Sequence, residues 1–285
     1  MSSSTQTAAG LLVSVEQLAA ALKAPDILLI DTRFKLEDTA YGEAAYHAGH
    51  IPGAIYLDLD RDLSSAIVPG DTGRHPLPDP AVLEARLREI GLRKTDHVVI
   101  YDDGPGFYPA RLWWLLVWLG HTRVSVLNGG LAAWNKAQLP LTAEIIIRPW
   151  PGDFVAHINN ALLVSAQELL KGDAGLQLLD ARAPERFRGE IEPIDPVAGH
   201  IPGAQCLPCG ANLAADGLWL APDVLRSRFP ALQCAQQRVC YCGSGVTACH
   251  NILAAVLAGL PMPKLYAGSW SEWITDVSRP IATGA

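Results

Sequence analysis

Short runs of apolar, often β-branched residues alternate along the chain with stretches whose apolar positions recur at helical spacing. In the second half, Gln177 to Asp180 reads as a strand, and Pro184, suited to a first helical turn, opens a short helix through Arg188. Gln205 to Leu207 reads as a short strand, and Pro222 to about Phe229 as a helix. Arg238 to Tyr241 has the composition of a buried strand, and Val246 to Ala258 that of a helix ended by Gly259 and Pro261. Lys264 to Tyr266 and Ser269 to Ile274 close the series. Such alternation predicts an α/β fold, a mainly parallel sheet flanked by helices. The longest apolar runs, Leu112 to Leu119 and Ile252 to Met262, read as buried helices; both fall short of the ~18–20 residues that a bilayer needs. Trp113, Trp114 and Trp118 fall at helical spacing and are expected in the core.

The pattern is written twice. Ala48-Gly49-His50-Ile51-Pro52-Gly53-Ala54 recurs letter for letter as Ala198-Gly199-His200-Ile201-Pro202-Gly203-Ala204, 150 positions on. Leu29-Ile30-Asp31-Thr32-Arg33 answers Leu178-Leu179-Asp180-Ala181-Arg182, and Tyr101 answers Tyr241. Asn128-Gly129-Gly130 through Trp134 answers Ala267-Gly268-Ser269 through Trp273. The offset drops from 150 to 140 between heptapeptide and tyrosine, so the first copy carries ten extra residues there. The chain thus divides into a first domain at 10–140, a linker at 141–160 with prolines and Asn159-Asn160, and a second domain at 161–280.

Composition fits this division. At ~150 residues per domain, 285 residues make two, and 49% apolar residues suffice for a core in each. With 22 Lys+Arg against 29 Asp+Glu the net charge is −7 and there is no run of five basic residues, so nucleic acid is not an expected partner. Met1 to Gly10 lacks a basic start and Glu16 interrupts the apolar residues after it, which makes a poor secretory signal and leaves cytoplasmic residence as the expectation. Six cysteines all lie between Cys206 and Cys249, and a chain of this size needs no disulfide staples; free thiols are expected.

Ligands of open α/β sheets collect at the carboxyl ends of strands, which directs attention to the turn after Tyr241: Cys242-Gly243-Ser244-Gly245-Val246-Thr247. Two glycines let this backbone curl, and amides of a curled loop entering a helix point inward as an anion cradle. A thiol at its mouth is expected to have a lowered pKa and to serve as nucleophile. The plainer role is an inert cysteine closing a strand. The repeat speaks against it, because Asp102-Asp103-Gly104-Pro105 stands at the matching place and the fold closes that turn without cysteine.

With these residues in hand, the chain resembles the rhodanese-type sulfurtransferases of two domains, closest to the 3-mercaptopyruvate type. The likeness rests on the duplicated Gly-His-Ile-Pro-Gly-Ala, Asp180-Ala181-Arg182, Arg186-Phe187-Arg188-Gly189, the loop Cys242 to Thr247, and Gly268-Ser269-Trp270-Ser271-Glu272-Trp273. It implies tandem rhodanese-like domains of which only the second, with Cys242, is catalytic. It also implies ping-pong transfer: Cys242 takes sulfur from a small donor, holds it as a persulfide, and yields it to cyanide or a thiol, without metal or organic cofactor.

Donor choice should follow charge. Thiosulfate, a dianion, is served in specialised members by basic residues just after the cysteine, whereas the neutral Gly243-Ser244-Gly245 resembles the mercaptopyruvate type. Ser244 is a candidate to bond the donor or relay a proton, or else simply stabilises the turn. Arg186 stands where the family binds donor anions. A second arginine, usual before Gly-His-Ile-Pro-Gly, is replaced by Glu190-Ile191-Glu192-Pro193-Ile194-Asp195-Pro196. Two outcomes stay open: Arg188 compensates, or preference moves toward thiosulfate.

Cys206-Leu207-Pro208-Cys209 has redox-pair spacing, but the repeat maps these cysteines onto Tyr56 and Leu59, so core filler is expected; a zinc site would want two more ligands. Cys240 and Cys249 are expected to pack. His50 and His200 are expected to cap backbone groups, with His50 the candidate for a first-domain histidine at the active loop. Asp180 and Arg182 recur as Asp31 and Arg33 in the copy without cysteine and are expected to support the loop rather than react. Two rival functions remain at this level. Phosphatases of this fold have a loop one residue longer ending in arginine, unlike Thr247 here, and a non-enzymatic sulfur carrier would show no turnover with small donors.

Overall fold

Central strands buried along most of their length, with shorter edge strands beside them, build two separate parallel sheets in the computed structural model, which describes residues 10–172, 175–230 and 237–285. The expectation for the first nine residues, and Cys234, lie outside that range. Unit 1 comprises the chain up to Ser65, Pro78–Asn159 and Ala215–Trp219; unit 2 comprises Ala66–Leu77, Asn160–Ala214 and Leu220–Ala285. Each unit therefore takes in a short segment from the other half of the sequence.

Unit 1 runs β1 (Leu12–Val13), α1 (Val15–Ala21), β2 (Ile27–Asp31), α2 (Tyr41–Ala48), β3 (Ala54–Tyr56), α3 (Pro80–Glu89), β4 (His97–Tyr101), α4 (Phe107–Trp118), β5 (Val124–Leu127) and α5 (Gly130–Lys136). Its strands lie in the order β1-β5-β4-β2-β3, every pair parallel. Unit 2 runs α6 (Ala166–Lys171), β6 (Leu176–Asp180), α7 (Pro184–Phe187), β7 (Gln205–Cys206), α8 (Pro222–Arg228), β8 (Gln237–Tyr241), α9 (Thr247–Leu257), β9 (Lys264–Leu265) and α10 (Ser269–Trp273), with 3-10 turns at Asn160–Leu162 and Cys209–Asn212. Its order is β7-β6-β8-β9, again all parallel.

Local chemistry sets the element ends. Ser14 and Ser165 each close a capping box, with Gln17 and Glu168, and start the first helix of their unit. Pro80, Pro184 and Pro222 occupy first-turn positions where the missing N–H costs nothing. The apolar run from Ile252 to Met262 leaves the helix at Leu257, because Gly259 adopts φ +69°. Trp113, Trp114 and Trp118 of α4 are buried, as expected. Among the described residues no helix is long and apolar enough to cross a membrane.

The duplicated heptapeptide has a shared job. In unit 1, Arg33 grips Asp31 and donates from Nη2 to the Gly49 carbonyl at 2.9 Å, while the Tyr101 hydroxyl accepts the Ile51 N–H at 3.2 Å. Unit 2 repeats this with Arg182, Asp180, Gly199 (2.7 Å), Tyr241 and Ile201 (3.2 Å). A buried ion pair thus ties the turn to the strand ends, and removing one partner would cost roughly 3–5 kcal/mol by stranding the other charge. His50 and His200 serve the same turns: Nδ1 of each faces a carbonyl at 2.8 Å, of Tyr46 and Phe187 respectively. The linker segment is strapped along unit 1, from the Thr142–His50 pair of 2.9 Å bonds to the Asn159 N–H on Trp118 O.

Candidate active site

Cys242 follows the last residue of β8, and its backbone turns at once toward α9. The loop is pinned from the opposite side by α10: Trp270 N–H donates to Cys242 O at 3.0 Å and Ser271 N–H to Gly243 O at 2.9 Å. Cys242 N–H donates to Ser269 Oγ at 3.1 Å, and that hydroxyl in turn donates to Tyr266 O at 3.0 Å. Gly245, at φ +81° and packed on the Ala267 carbonyl, leaves no room for a side chain. Its N–H consequently points back into the curl and donates to Cys242 Sγ at 3.1 Å. The thiol of Cys249, one turn into α9, bonds the Gly245 carbonyl at 3.4 Å and braces the same bend.

The remaining loop residues divide by what they touch. Ser244, nearly buried, places Oγ 2.7 Å from Nδ1 of His75. Val246 precedes the first turn of α9 and is buried; Thr247 opens the helix, its hydroxyl on the thiol of Cys209. Burial pushes that Cys209 thiol up to about 12, and the neighbouring Cys242 adds to the rise. Cys240 is likewise driven up by burial, and Cys206 is half-buried with its sulfur 3.9 Å from the Arg182 carbonyl. The five described cysteines are free thiols. Among the described residues no three His, Cys, Asp or Glu side chains come together as a metal site.

Arg186 on α7 reaches Gly243. A β-carbon built on Gly243 would lie 3.6 Å from its Nη2. The guanidinium is clasped by carboxylates: Nε and Nη2 donate to Glu192 at 2.7–3.1 Å, and Nη2 also to Asp195 at 3.2 Å. Arg188, the candidate to compensate for the missing second arginine, is engaged elsewhere. Its guanidinium is exposed and bonds Glu190 through Nε and Nη2 at 2.7 and 2.8 Å. Within unit 1 the two ring nitrogens of His50 face the carbonyls of Tyr46 and Glu144.

The residues that sequence reasoning missed come from the segment Ala66–Leu77 of unit 2. Gly73 packs on the Gly268 carbonyl, Arg74 N–H donates to Ser271 Oγ at 3.1 Å, and these contacts deliver Arg74 and His75 to the loop. Burial pulls the Arg74 pKa down, which the Cys242 charge opposes and Arg186 reinforces. The signal was present: this segment falls within the stretch where the first copy is ten residues longer.

Rhodanese-like domain models match residues 14–137 and 155–276. A Pseudomonas aeruginosa protein named "Probable 3-mercaptopyruvate sulfurtransferase" is 57% identical over 280 residues, covering 96% of this chain and 98% of its own. The thiosulfate sulfurtransferase of Rattus norvegicus is 35% identical over 277 residues, covering 92% and 91%. Among solved structures, a 3-mercaptopyruvate sulfurtransferase from Leishmania major superimposes with a TM-score of 0.81 at 32% identity, over 92% of this chain and 74% of that one. The two sheets, the loop that begins with Cys242 and these likenesses agree: the chain belongs to the rhodanese family, as two rhodanese-like domains in tandem, and is a sulfurtransferase.

Proposed function

We propose that the protein takes sulfur from 3-mercaptopyruvate, holds it as a persulfide on Cys242, and passes it to cyanide or a small thiol. The Cys242 thiolate attacks the donor sulfur; an S–S bond forms, the C–S bond breaks, and its electron pair leaves on the three-carbon fragment as the enolate of pyruvate. One proton then completes pyruvate. In the second half the acceptor attacks the outer sulfur, the S–S bond breaks, and the thiolate returns. Neither half needs an external oxidant, reductant or metal to balance. Gly243, Gly245, Val246 and Thr247 form the curled backbone against which the donor sulfur lies, with the Gly245 N–H directed at the sulfur anion. Arg186 faces the donor carboxylate across Gly243.

The observation that carries the donor choice is the 2.7 Å contact between Ser244 Oγ and His75 Nδ1. A carbon leaving group needs a proton as it departs. Sulfite, the leaving group of thiosulfate, is a stable anion and needs none. A hydroxyl backed by an imidazole beside the nucleophile is therefore machinery for mercaptopyruvate. We place the reaction in the cytoplasm, where free cysteines such as the five described here persist.

Two measurements test this. With cyanide as common acceptor, kcat/KM for mercaptopyruvate should exceed that for thiosulfate; a clear excess for thiosulfate overturns the donor choice. His75→Asn should lower mercaptopyruvate turnover by roughly 10²-fold while sparing thiosulfate turnover, since only the first needs the proton. Equal loss with both donors would reduce the Ser244–His75 pair to a structural contact.

A further inference from the structure

Gly243 lies between two guanidinia. A β-carbon there would meet Nη2 of Arg74 at 2.8 Å and Nη2 and Nη1 of Arg186 at 3.6 and 3.7 Å. Arg74 and Arg186 come from segments more than a hundred residues apart and converge on the residue directly after the nucleophile. One side chain holds them together. Asp195, itself almost fully buried, accepts from Arg186 Nη2 on Oδ2 at 3.2 Å and from Arg74 Nη1 on Oδ1. Its own backbone is fixed by Glu192, whose Oε1 accepts the N–H groups of Ile194 and Asp195 at 3.1 Å each.

The arrangement has two consequences. First, the acidic stretch that replaces the second arginine does not leave the site with a single cation, because Arg74 is brought in from another segment. Nε of Arg74 is buried without a hydrogen-bond acceptor, so this guanidinium retains an unused donor. Second, the two cations are nearly matched by Asp195 and Glu192, both 3–4% exposed at the side chain. Glu192 also accepts from Arg182 Nη1 at 3.4 Å, and Arg182 is paired in turn with Asp180, so three arginines stand against three carboxylates and the site offers directed N–H donors with little net positive field. Such a site suits a monoanion that presents a planar carboxylate and a keto oxygen. A dianion approaching a thiolate finds no surplus charge to offset the repulsion.

We propose that Arg74 is the second donor-binding cation of this site and that Asp195, bridging it to Arg186, positions both guanidinia and biases the enzyme toward monoanionic donors. This rests on the reading of Cys242 as the sulfur-accepting residue given above.

The test separates the two claims. On the wild-type enzyme, mass spectrometry after mercaptopyruvate treatment should show one added sulfur at Cys242; if neither donor produces it, the functional reading itself fails. Given that signal, Arg74→Gln should raise the mercaptopyruvate KM by roughly 10- to 100-fold, the range for a lost charge-assisted contact. Discharge of the preformed persulfide to cyanide should slow by clearly less than loading does, because the acceptor brings no carboxylate for Arg74 to bind. Arg74→Lys, which keeps the charge but loses the planar fork, should fall between. An unchanged KM in both variants, or an equal slowing of both half-reactions, overturns the role of Arg74. Asp195→Asn releases one positive charge, and the ratio of kcat/KM for thiosulfate over mercaptopyruvate should rise roughly tenfold. A ratio that stays put or falls overturns the role of Asp195. Should Arg74→Gln not fold, the Lys variant and the Asp195 ratio still decide the matter.

Discussion

The turn after β4 and the turn after β8 share one backbone plan and differ in what fills it. Leu131 N–H donates to Asp102 O at 2.8 Å and Ala132 N–H to Asp103 O at 2.9 Å, the counterparts of the Trp270 and Ser271 bonds to Cys242 and Gly243. Each unit also carries an equivalent Asp–Arg pair, Asp31–Arg33 and Asp180–Arg182, and an equivalent tyrosine, Tyr101 and Tyr241. In unit 1, however, the curl is occupied from within: the Asp102 carboxylate accepts the N–H groups of Gly104 at 2.9 Å and Gly106 at 3.0 Å. In unit 2 the corresponding place holds a sulfur that accepts Gly245 N–H. The fold supplies an anion cradle in both copies. A built-in carboxylate fills the first, whereas a thiol, the proposed sulfur acceptor, stands in the second.

The most severe way to probe this contrast removes the sulfur. Cys242→Ala should bring turnover with either donor to background, while stability falls by only about 1 kcal/mol for the lost acceptor of Gly245 N–H. Steady-state assay and urea denaturation check the two halves of that statement. Adding Asp102→Cys to this variant should restore nothing. The contacts that Ser244–His75, Arg74 and Arg186 make with the second loop lie within unit 2, and a cysteine in the first curl gains none of them. Persulfide on the thiol introduced at position 102, detected by mass spectrometry, would break the comparison.

A smaller effect is expected at the residue behind the nucleophile. Gly130 and Ser269 occupy matching positions with φ +54° and +55°, a left-handed geometry that costs a serine roughly 1 kcal/mol. The strain coincides with a bond: the Ser269 hydroxyl accepts Cys242 N–H. Ser269 is thus a positioning residue. Ser269→Ala and Ser269→Gly should each lower kcat about tenfold with donor KM little changed. The glycine variant should be the more stable of the two by about 1 kcal/mol, since it sheds the strain. Equal stability of the two would mean that the left-handed backbone at this position stores no strain.

Much of this was readable from residues alone, and the remainder was not for a definite reason. Apolar runs, prolines at first turns and glycines at helix ends are local signals, and they placed the elements of unit 2 from β6 onward within a residue or two, while the short helix α6 and the 3-10 turns went unread. Duplication supplied the comparison of Asp102 with Cys242, and hence the proposed nucleophile. Arg74 and His75 carry no local signal. His75 meets Ser244 across 169 positions, through a loop whose only mark was extra length. Glu192 and Asp195 were visible as acidic residues where a cation was expected, yet sequence spacing cannot show that they clasp the arginines already present. Pairing of charges is a property of the folded site, and a one-dimensional reading counts them without matching them.

The change expected to leave turnover untouched concerns the occupied curl. Burial raises the Asp102 pKa from 3.8 to about 6, against the pull of the Gly104 and Gly106 N–H bonds, and Asp103 and Asp31 add to the rise. A carboxyl whose folded pKa lies above its unfolded value binds protons more tightly in the native state. It therefore lowers stability as pH rises from about 4 to 6, and the full cost persists above that range. At roughly 1.4 kcal/mol per tenfold change in proton affinity, this amounts to about 3 kcal/mol at most. Asp102→Asn keeps an oxygen to accept both glycine N–H groups and removes the charge. Urea denaturation of the variant and wild type should give curves that converge near about pH 4 and separate above about pH 6, with the variant more stable. If wild type proves the more stable at about pH 8, the cradle in unit 1 stabilises its anion by more than burial costs, and the two loops are more alike than their occupants imply.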